Sequence, residues 1–383
     1  MTDPLAALLA LRQRPERRVV GLNSGTSADG VDAVVARIFG AGDSTRVTVE
    51  AFVTLPYPEP LRACLLAGPT SAAEVAAFDV AVGAAFADAA EAALAAAGGG
   101  PCDLVASHGQ TISHLPRSAG GPGATLQIGQ PAILAERLAA PVVSDFRVRD
   151  VAAGGEGAPL VPLADFILFG RAGHVRAVQN IGGIANLSVV GDRVEDVYAF
   201  DTGPGNMPID AASRALFGRA CDEDGAHAAR GAVDEAVVAE LLADPFFGQP
   251  PPRSTGRERY GEGFLNRLLP RFTGRPDDLL ATLTRFVAAS IHFAYARWVL
   301  PRSPVAEVLI SGGGVHNRTL MRWLGELLAP LPVRSTAALS VDPDAKEAVA
   351  FALLANETLH GRAGNLPGAT GARGPRVLGV ITP

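Results

Sequence analysis

Three hydroxyls, two glycines and two carboxylates crowd into Ser24-Gly25-Thr26-Ser27-Ala28-Asp29-Gly30-Val31-Asp32. The stretch sits between the apolar runs Val19–Leu22 and Val31–Phe39. Glycine lets backbone N–H groups approach an anion closely, and hydroxyls add donors. The chemistry predicted is nucleotide phosphate binding by Gly25, Thr26, Ser27, Ala28, Asp29, Gly30, Val31 and Asp32. Asp29 and Asp32 are placed to meet a magnesium ion or its waters. A plain polar hairpin turn is the alternative.

Three later turns have the same flavour. Gly182 and Gly183 lie in Asn180-Ile181-Gly182-Gly183-Ile184, which reads as strand, turn and strand. Asp201-Thr202-Gly203-Pro204-Gly205-Asn206 joins a strand to a helix. A carboxylate at a strand end is a candidate general base, so Asp201 is the first choice for catalysis, with a simple turn cap as the alternative. Amides of Gly203, Gly205 and Asn206 would meet phosphate at the helix N-terminus. Gly312, Gly313 and Gly314 leave room for a planar adenine or ribose against the backbone, with Asn317 either contacting it or capping the next helix.

The elements that must position these groups come in two similar sets. Strands are expected at Arg18–Leu22, Val31–Phe39, Val47–Leu55 and Asp103–Ser107, with a long helix over Ala72–Ala97. The second set has strands at Val175–Asn180, Ile184–Val190, Val197–Phe200 and Val308–Ile310. Its helices fall near Asn206–Phe217, Val233–Ala243, Leu279–Leu300, Arg318–Leu328 and Asp344–His360. A β-β-β-α order used twice predicts an α/β protein of two ribonuclease-H-like (actin-like ATPase) domains flanking a nucleotide cleft. The expected division is 1–145 and 146–383, with the C-terminal tail packing back on the surface. The Pro- and Gly-rich loop Asp244–Gly263 reads as a solvated linker or as a lid over an anionic substrate.

Composition narrows the partners. The 383 residues hold 33 basic side chains, of which a single one, Lys346, is lysine. No G-x-x-x-x-G-K-[ST] run occurs, which excludes a Walker-type phosphate site. A net charge of −6 argues against general nucleic-acid or anionic-membrane binding. Cys64, Cys102 and Cys221 are too scattered for a disulfide framework or zinc site, which suits a reducing cytoplasm. No export signal or membrane span is expected.

Taken in order, the motifs resemble the anhydro-N-acetylmuramic acid kinases, from Gly21 to about Ile381. The residues that carry the likeness are 24–32, Ser107-His108-Gly109-Gln110-Thr111, Leu126-Gln127-Ile128-Gly129, Asp145-Phe146-Arg147-Val148-Arg149-Asp150 and Gly154–Pro162. Asn180–Leu187, Asp201–Asn206, Ser254-Thr255-Gly256-Arg257, the triple glycine and Gly364-Asn365-Leu366-Pro367 complete it. The resemblance implies ATP-dependent, hydrolytic opening of 1,6-anhydro-N-acetylmuramic acid to give N-acetylmuramic acid 6-phosphate, with ATP and Mg2+, in a cytoplasmic homodimer. It implies Asp201 as the base, with Glu347 as the carboxylate that assists it or, alternatively, an ordinary helix glutamate.

His108, Gln110, Thr111 and Gln127 suit sugar hydroxyl and acetamido groups. Arg147 or Arg149 suits the lactyl carboxylate, unless bound to Asp145 or Asp150. Direct metal ligands are left unassigned. Two residues depart from the family pattern: Asn23 replaces the usual methionine, and Glu156 replaces a glutamine and brings a negative charge feared near the phosphates. A kinase for another sugar or acid, or an actin- or Hsp70-like nucleotide-dependent binding protein, would share the fold.

Overall fold

Antiparallel hairpins open both halves of the chain. The computed structural model describes residues 3–25, 27–117 and 120–383. Its strands are β1 (Glu16–Ser24), β2 (Gly30–Phe39), β3 (Arg46–Pro56), β4 (Leu104–Leu115), β5 (Ala124–Ile128), β6 (Val142–Ser144), β7 (Arg176–Ile181), β8 (Ile184–Val190), β9 (Tyr198–Pro204), β10 (Glu307–Ser311), β11 (Val333–Ser335) and β12 (Val380–Thr382).

Contacts divide the chain into two units, Met1–Phe169 with Ala345–Pro383, and Gly170–Asp344. The expected division at 145 and 146 is therefore corrected. Residues up to Phe169 stay with the first unit because Asp150, fully buried, binds Gly157 N, Asn365 Nδ2 and Thr370 Oγ1. The helix Lys346–Leu359, expected to finish the second domain, packs on β1, β4 and β2 instead.

In the first unit the sheet runs β12-β6-β4-β1-β2-β3, with β5 beside β4. β1, β2 and β3 are antiparallel neighbours, and β4 and β6 run parallel to β1. In the second unit the order is β11-β10-β7-β8-β9, again with three antiparallel strands and two parallel to the first. This shared order is the ribonuclease-H-like arrangement used twice, as the actin-like ATPase fold requires.

Side-chain alternation sorts the two faces of β1. Val20 and Leu22 join Phe86 and the alanines of the helix Ala72–Ala96 in one core. Gly21 points the other way, where a Cβ would overlap the carbonyl oxygen of Ala348, so only glycine lets the helix Lys346–Leu359 close on this strand. Its neighbour Lys346 is almost fully buried in an ion pair with Asp165 at 2.8 Å. In the second unit the core gathers on the helix Pro276–Ala294, with Phe247, Phe286 and Ile310. The run Pro276–Val299 is long and apolar enough to cross a membrane, but 72% of its most apolar 18-residue stretch is buried here, as in a core helix.

Candidate active site

The turn between β1 and β2 closes on a hydrogen bond from Ala28 N to Gly25 O at 3.2 Å and is braced from below. Ser24 Oγ lies 2.6 Å from Gln110 Oε1 and 2.7 Å from Gly30 O, two acceptors for its single proton. Gln110 Nε2 donates to Gly25 O at 3.1 Å, and the buried Tyr57 hydroxyl also reaches Gln110 Oε1. Gln110, expected to contact sugar, is a buried brace of the β1–β2 turn. Ala28 takes a positive φ of 51° and Gly30 lies where a Cβ would meet Leu55 O at 2.5 Å. Asp29 is exposed and pairs with Arg62 at 3.1 Å, while Asp32 accepts from Thr54 Oγ1 at 2.6 Å. Val31 is core. Ser27 lies in the turn, and Thr26 lies outside the described residues.

The predicted nucleotide glycines fall into two classes. Added Cβ atoms at Gly25, Gly182 and Gly313 would meet nothing nearer than 3.5 Å, so a ligand can come up to the backbone there. Gly205, Gly312 and Gly314 are packed, against Gly182 O, Asn180 with Ile181 O, and the Ile181 side chain. Gly203 is packed against Phe247. The expectation for the Gly-Pro-Gly turn is also corrected. The amides of Gly205, Asn206 and Met207 donate to Gly183 O, Gly182 O and Gly183 O at 3.0, 2.7 and 3.2 Å, and so are already used. Asn206 Nδ2 donates to Ile181 O. Asn317 caps its helix by accepting from Leu320 N at 2.9 Å, the structural alternative to a nucleotide contact.

Asp201 is held by a segment that runs along β9. Arg253 Nε donates to Asp201 O, Asp201 N donates to Arg253 O, and Thr255 N donates to Asp201 Oδ2 at 2.8 Å. Burial pushes the Asp201 carboxyl up to about 7, against the lowering effect of the Thr255 amide and the Arg253 charge. Arg253 is itself buried, lies 4.7 Å over the Phe246 ring, and ties down the carbonyls of Phe246, Phe247 and Gln249. Its guanidinium is lowered to about 10 by burial. The loop read as a linker or a lid is thus anchored at Arg253 and carries short helices at Pro245–Gly248 and Arg257–Tyr260. Sequence reasoning missed Arg253; the only hint was the Phe246-Phe247 pair, which gives its cation a surface.

The sugar candidates gather in the first unit. Arg147 Nε donates to His108 Nε2 at 2.9 Å, and its Nη1 donates to Gly157 O at 2.8 Å. Neither Asp145 nor Asp150 takes its hydrogen bonds. Burial first, and the Arg147 charge second, push the His108 imidazole well below its ordinary value. It is therefore neutral, with its proton on Nδ1, which has no partner among the described residues. Its ring lies tilted by 36° against that of Phe351, 4.5 Å between centroids. Arg149 is exposed.

Gln127 Nε2 donates to Thr111 Oγ1 and Thr125 Oγ1, so Thr111 is already engaged, and Gln127 Oε1 is left unpartnered. A cavity of about 270 Å³ is lined by Ser107, His108, Gln127, Asp145 and Asp79 among others. Asp79, on the long helix, accepts from Gly129 N at 2.7 Å. Asp145 sits at a positive φ of 56°, and burial pushes its carboxyl up.

The two departures are both accounted for. Asn23 Nδ2 donates to Glu347 Oε2 at 2.9 Å. Glu156 accepts from Arg117 N at 2.7 Å, which makes it a loop clamp in the first unit rather than a charge bonded to the β1–β2 turn.

The family model for anhydro-N-acetylmuramic acid kinase matches residues 17–383. The chain belongs to this family. It is 46% identical to the anhydro-N-acetylmuramic acid kinase of Salinibacter ruber, over 98% of each chain. It is 43% identical to that of Caldanaerobacter subterraneus, over 98% of this chain and 99% of that one. Among solved structures it aligns with component A of the (R)-2-hydroxyglutaryl-CoA dehydratase of Acidaminococcus fermentans at 13% identity and a TM-score of 0.47, covering 90% and 99% of the two chains. The fold assignment rests on strand order and not on that last likeness. The activity expected from the resemblance, an ATP-using anhydro-N-acetylmuramic acid kinase, is borne out at the level of the family.

Proposed function

We propose that this kinase carries out ring opening and phosphorylation as one event, with Asp201 as the base that activates water. The observation that carries the reading is a buried carboxyl near neutrality, one oxygen pinned by the Thr255 amide. A base with a value near the working pH combines a useful deprotonated fraction with useful basicity.

In this reading Asp201 takes a proton from water as the water oxygen bonds to the anomeric carbon. The C1–O6 bond breaks, and O6 attacks the γ-phosphorus of ATP as the bond to the β-γ bridging oxygen breaks. The products are N-acetylmuramic acid 6-phosphate and ADP. Placement and charge stabilisation supply most of the acceleration for the phosphoryl step. Glu347 assists the activation of water.

The backbone around Gly25, Gly182 and Gly313 receives the nucleotide. No cluster of three or more metal-ligating side chains occurs among the described residues. That fits Mg2+, which is commonly held by phosphate oxygens, water and one or two carboxylates. Asp32 and Asp29 would hold it, and its charge would offset that of the phosphates.

The cavity beside His108 and Gln127 suits the sugar's hydroxyl and acetamido groups, and its volume is of the order of one amino sugar. Arg149 takes the lactyl carboxylate, while Arg147 fixes the His108 tautomer. A homodimer in the cytoplasm completes the reading, and sedimentation of the purified chain tests the dimer.

The functional test is coupled ADP release with 1,6-anhydro-N-acetylmuramic acid, ATP and magnesium, run beside Asp201→Asn. Sugar-dependent turnover lost in the variant, with ATP binding retained, is the expected result. Turnover in the variant within a few-fold of the parent would remove Asp201 from the role of base.

A further inference from the structure

Glu347 stands in the first turn of the helix Lys346–Leu359, on a side chain long enough to take several rotamers. Something must choose one of them. Gly21, two residues before Asn23 and on the same face of β1, lets the start of that helix come against the strand, since any Cβ there would overlap Ala348 O. The approach brings Glu347 Oε2 to 2.9 Å from Asn23 Nδ2. Asn23 is 4% exposed, so this donor is buried and does not exchange its partner for bulk water. The amide cannot be turned round, because its carbonyl would then face a carboxylate oxygen.

Two further constraints act on the same carboxylate. Lys346, the preceding residue, is locked by Asp165 at 2.8 Å, which fixes the helix start. The Arg147 guanidinium lies close enough to interact electrostatically with Glu347.

We infer that Asn23 is the positioning residue of the Glu347 carboxylate, selecting the rotamer in which Glu347 acts. The inference rests on the role proposed above for Glu347. Asn23 is the residue immediately before Ser24, whose hydroxyl supports the phosphate turn. One stretch of β1 therefore sets the turn on one face and the carboxylate on the other. A shift of the turn reaches Glu347 through the Asn23 side chain.

The test compares Asn23→Leu, Asn23→Asp, Glu347→Gln and the double variant Asn23→Leu/Glu347→Gln in the ADP-release assay. Asn23→Asp keeps the size of the residue and replaces the donor with a carboxylate that repels Glu347, so it breaks the positioning contact without opening a cavity and covers failure of the leucine variant to fold. Both Asn23 variants are expected to lose about tenfold in kcat, with KM for ATP and for sugar within about twofold of the parent. The double variant is expected to be no slower than Glu347→Gln alone, because a residue with nothing to position has no effect.

Retention of the parent kcat by the Asn23 variants, with Glu347→Gln impaired, overturns the inference and leaves the role of Glu347 standing. A raised KM for ATP at unchanged kcat overturns it in favour of a role in the phosphate turn. Parent-level kcat in Glu347→Gln removes the role of Glu347, and the inference with it.

Discussion

Asp150, on the short helix Val148–Ala152 of the first unit, and Asp201, on β9 of the second, differ in their donors. Asp150 accepts from an amide, an asparagine and a threonine, all buried. Asp201 has one backbone amide on its carboxylate, and burial raises its value to about 7. Three donors make an anchor that ties the tail to the Gly154–Pro159 loop. One donor and a dry setting leave a carboxylate that trades protons near neutral pH. Under the proposed function, the contrast separates a structural aspartate from the base.

The hardest test of that contrast is to exchange the consequences of losing each carboxylate. Asp150→Ala leaves three buried donors without a partner and is expected to cost about 3–5 kcal/mol in urea unfolding. Asp201→Asn keeps the acceptor for the Thr255 amide and removes a buried charge. A raised folded-state value means that ionising Asp201 opposes folding. The parent's stability therefore declines as pH rises from the unfolded value near 4 through about 7. Asp201→Asn is expected to exceed the parent by about 1–3 kcal/mol at pH 8 and to match it below about pH 4, by urea unfolding at the two pH values.

Smaller effects sharpen the division of labour further. Gly21→Ala should cost about 1–3 kcal/mol, because the helix Lys346–Leu359 must move off β1. Asn317→Ala should cost about 1 kcal/mol of stability and leave the KM for ATP unchanged, since the side chain caps a helix. A rise in that KM would return Asn317 to the nucleotide site.

The hairpins show why parts of this were legible in sequence and parts were not. Alternation and turn residues located β1, β2, β7 and β8 because each rule is local. The strand order followed from the repeated β-β-β-α pattern. Gln110 misled because its type suits a sugar, and nothing local shows that Ser24, Gly25 and Tyr57 converge on it. Gly203, Gly205, Gly312 and Gly314 misled for a related reason. A glycine that frees backbone for a ligand and one that lets two turns touch look identical in sequence. The unit boundary was missed because Asp150 meets its partners more than 200 residues later. Arg253 was invisible because its rings and carbonyls come together only once the loop folds onto β9.

The account depends most on Asp201 being the group that must lose its proton before water attacks. The direct measurement is kcat for ADP release from about pH 5 to pH 9 with both substrates saturating. A single limb rising about tenfold per pH unit and levelling near pH 7 is the result predicted, because only ionised Asp201 can accept the proton. A profile that stays flat down to about pH 5 would contradict it, since a carboxyl titrating near 7 would by then be almost wholly protonated.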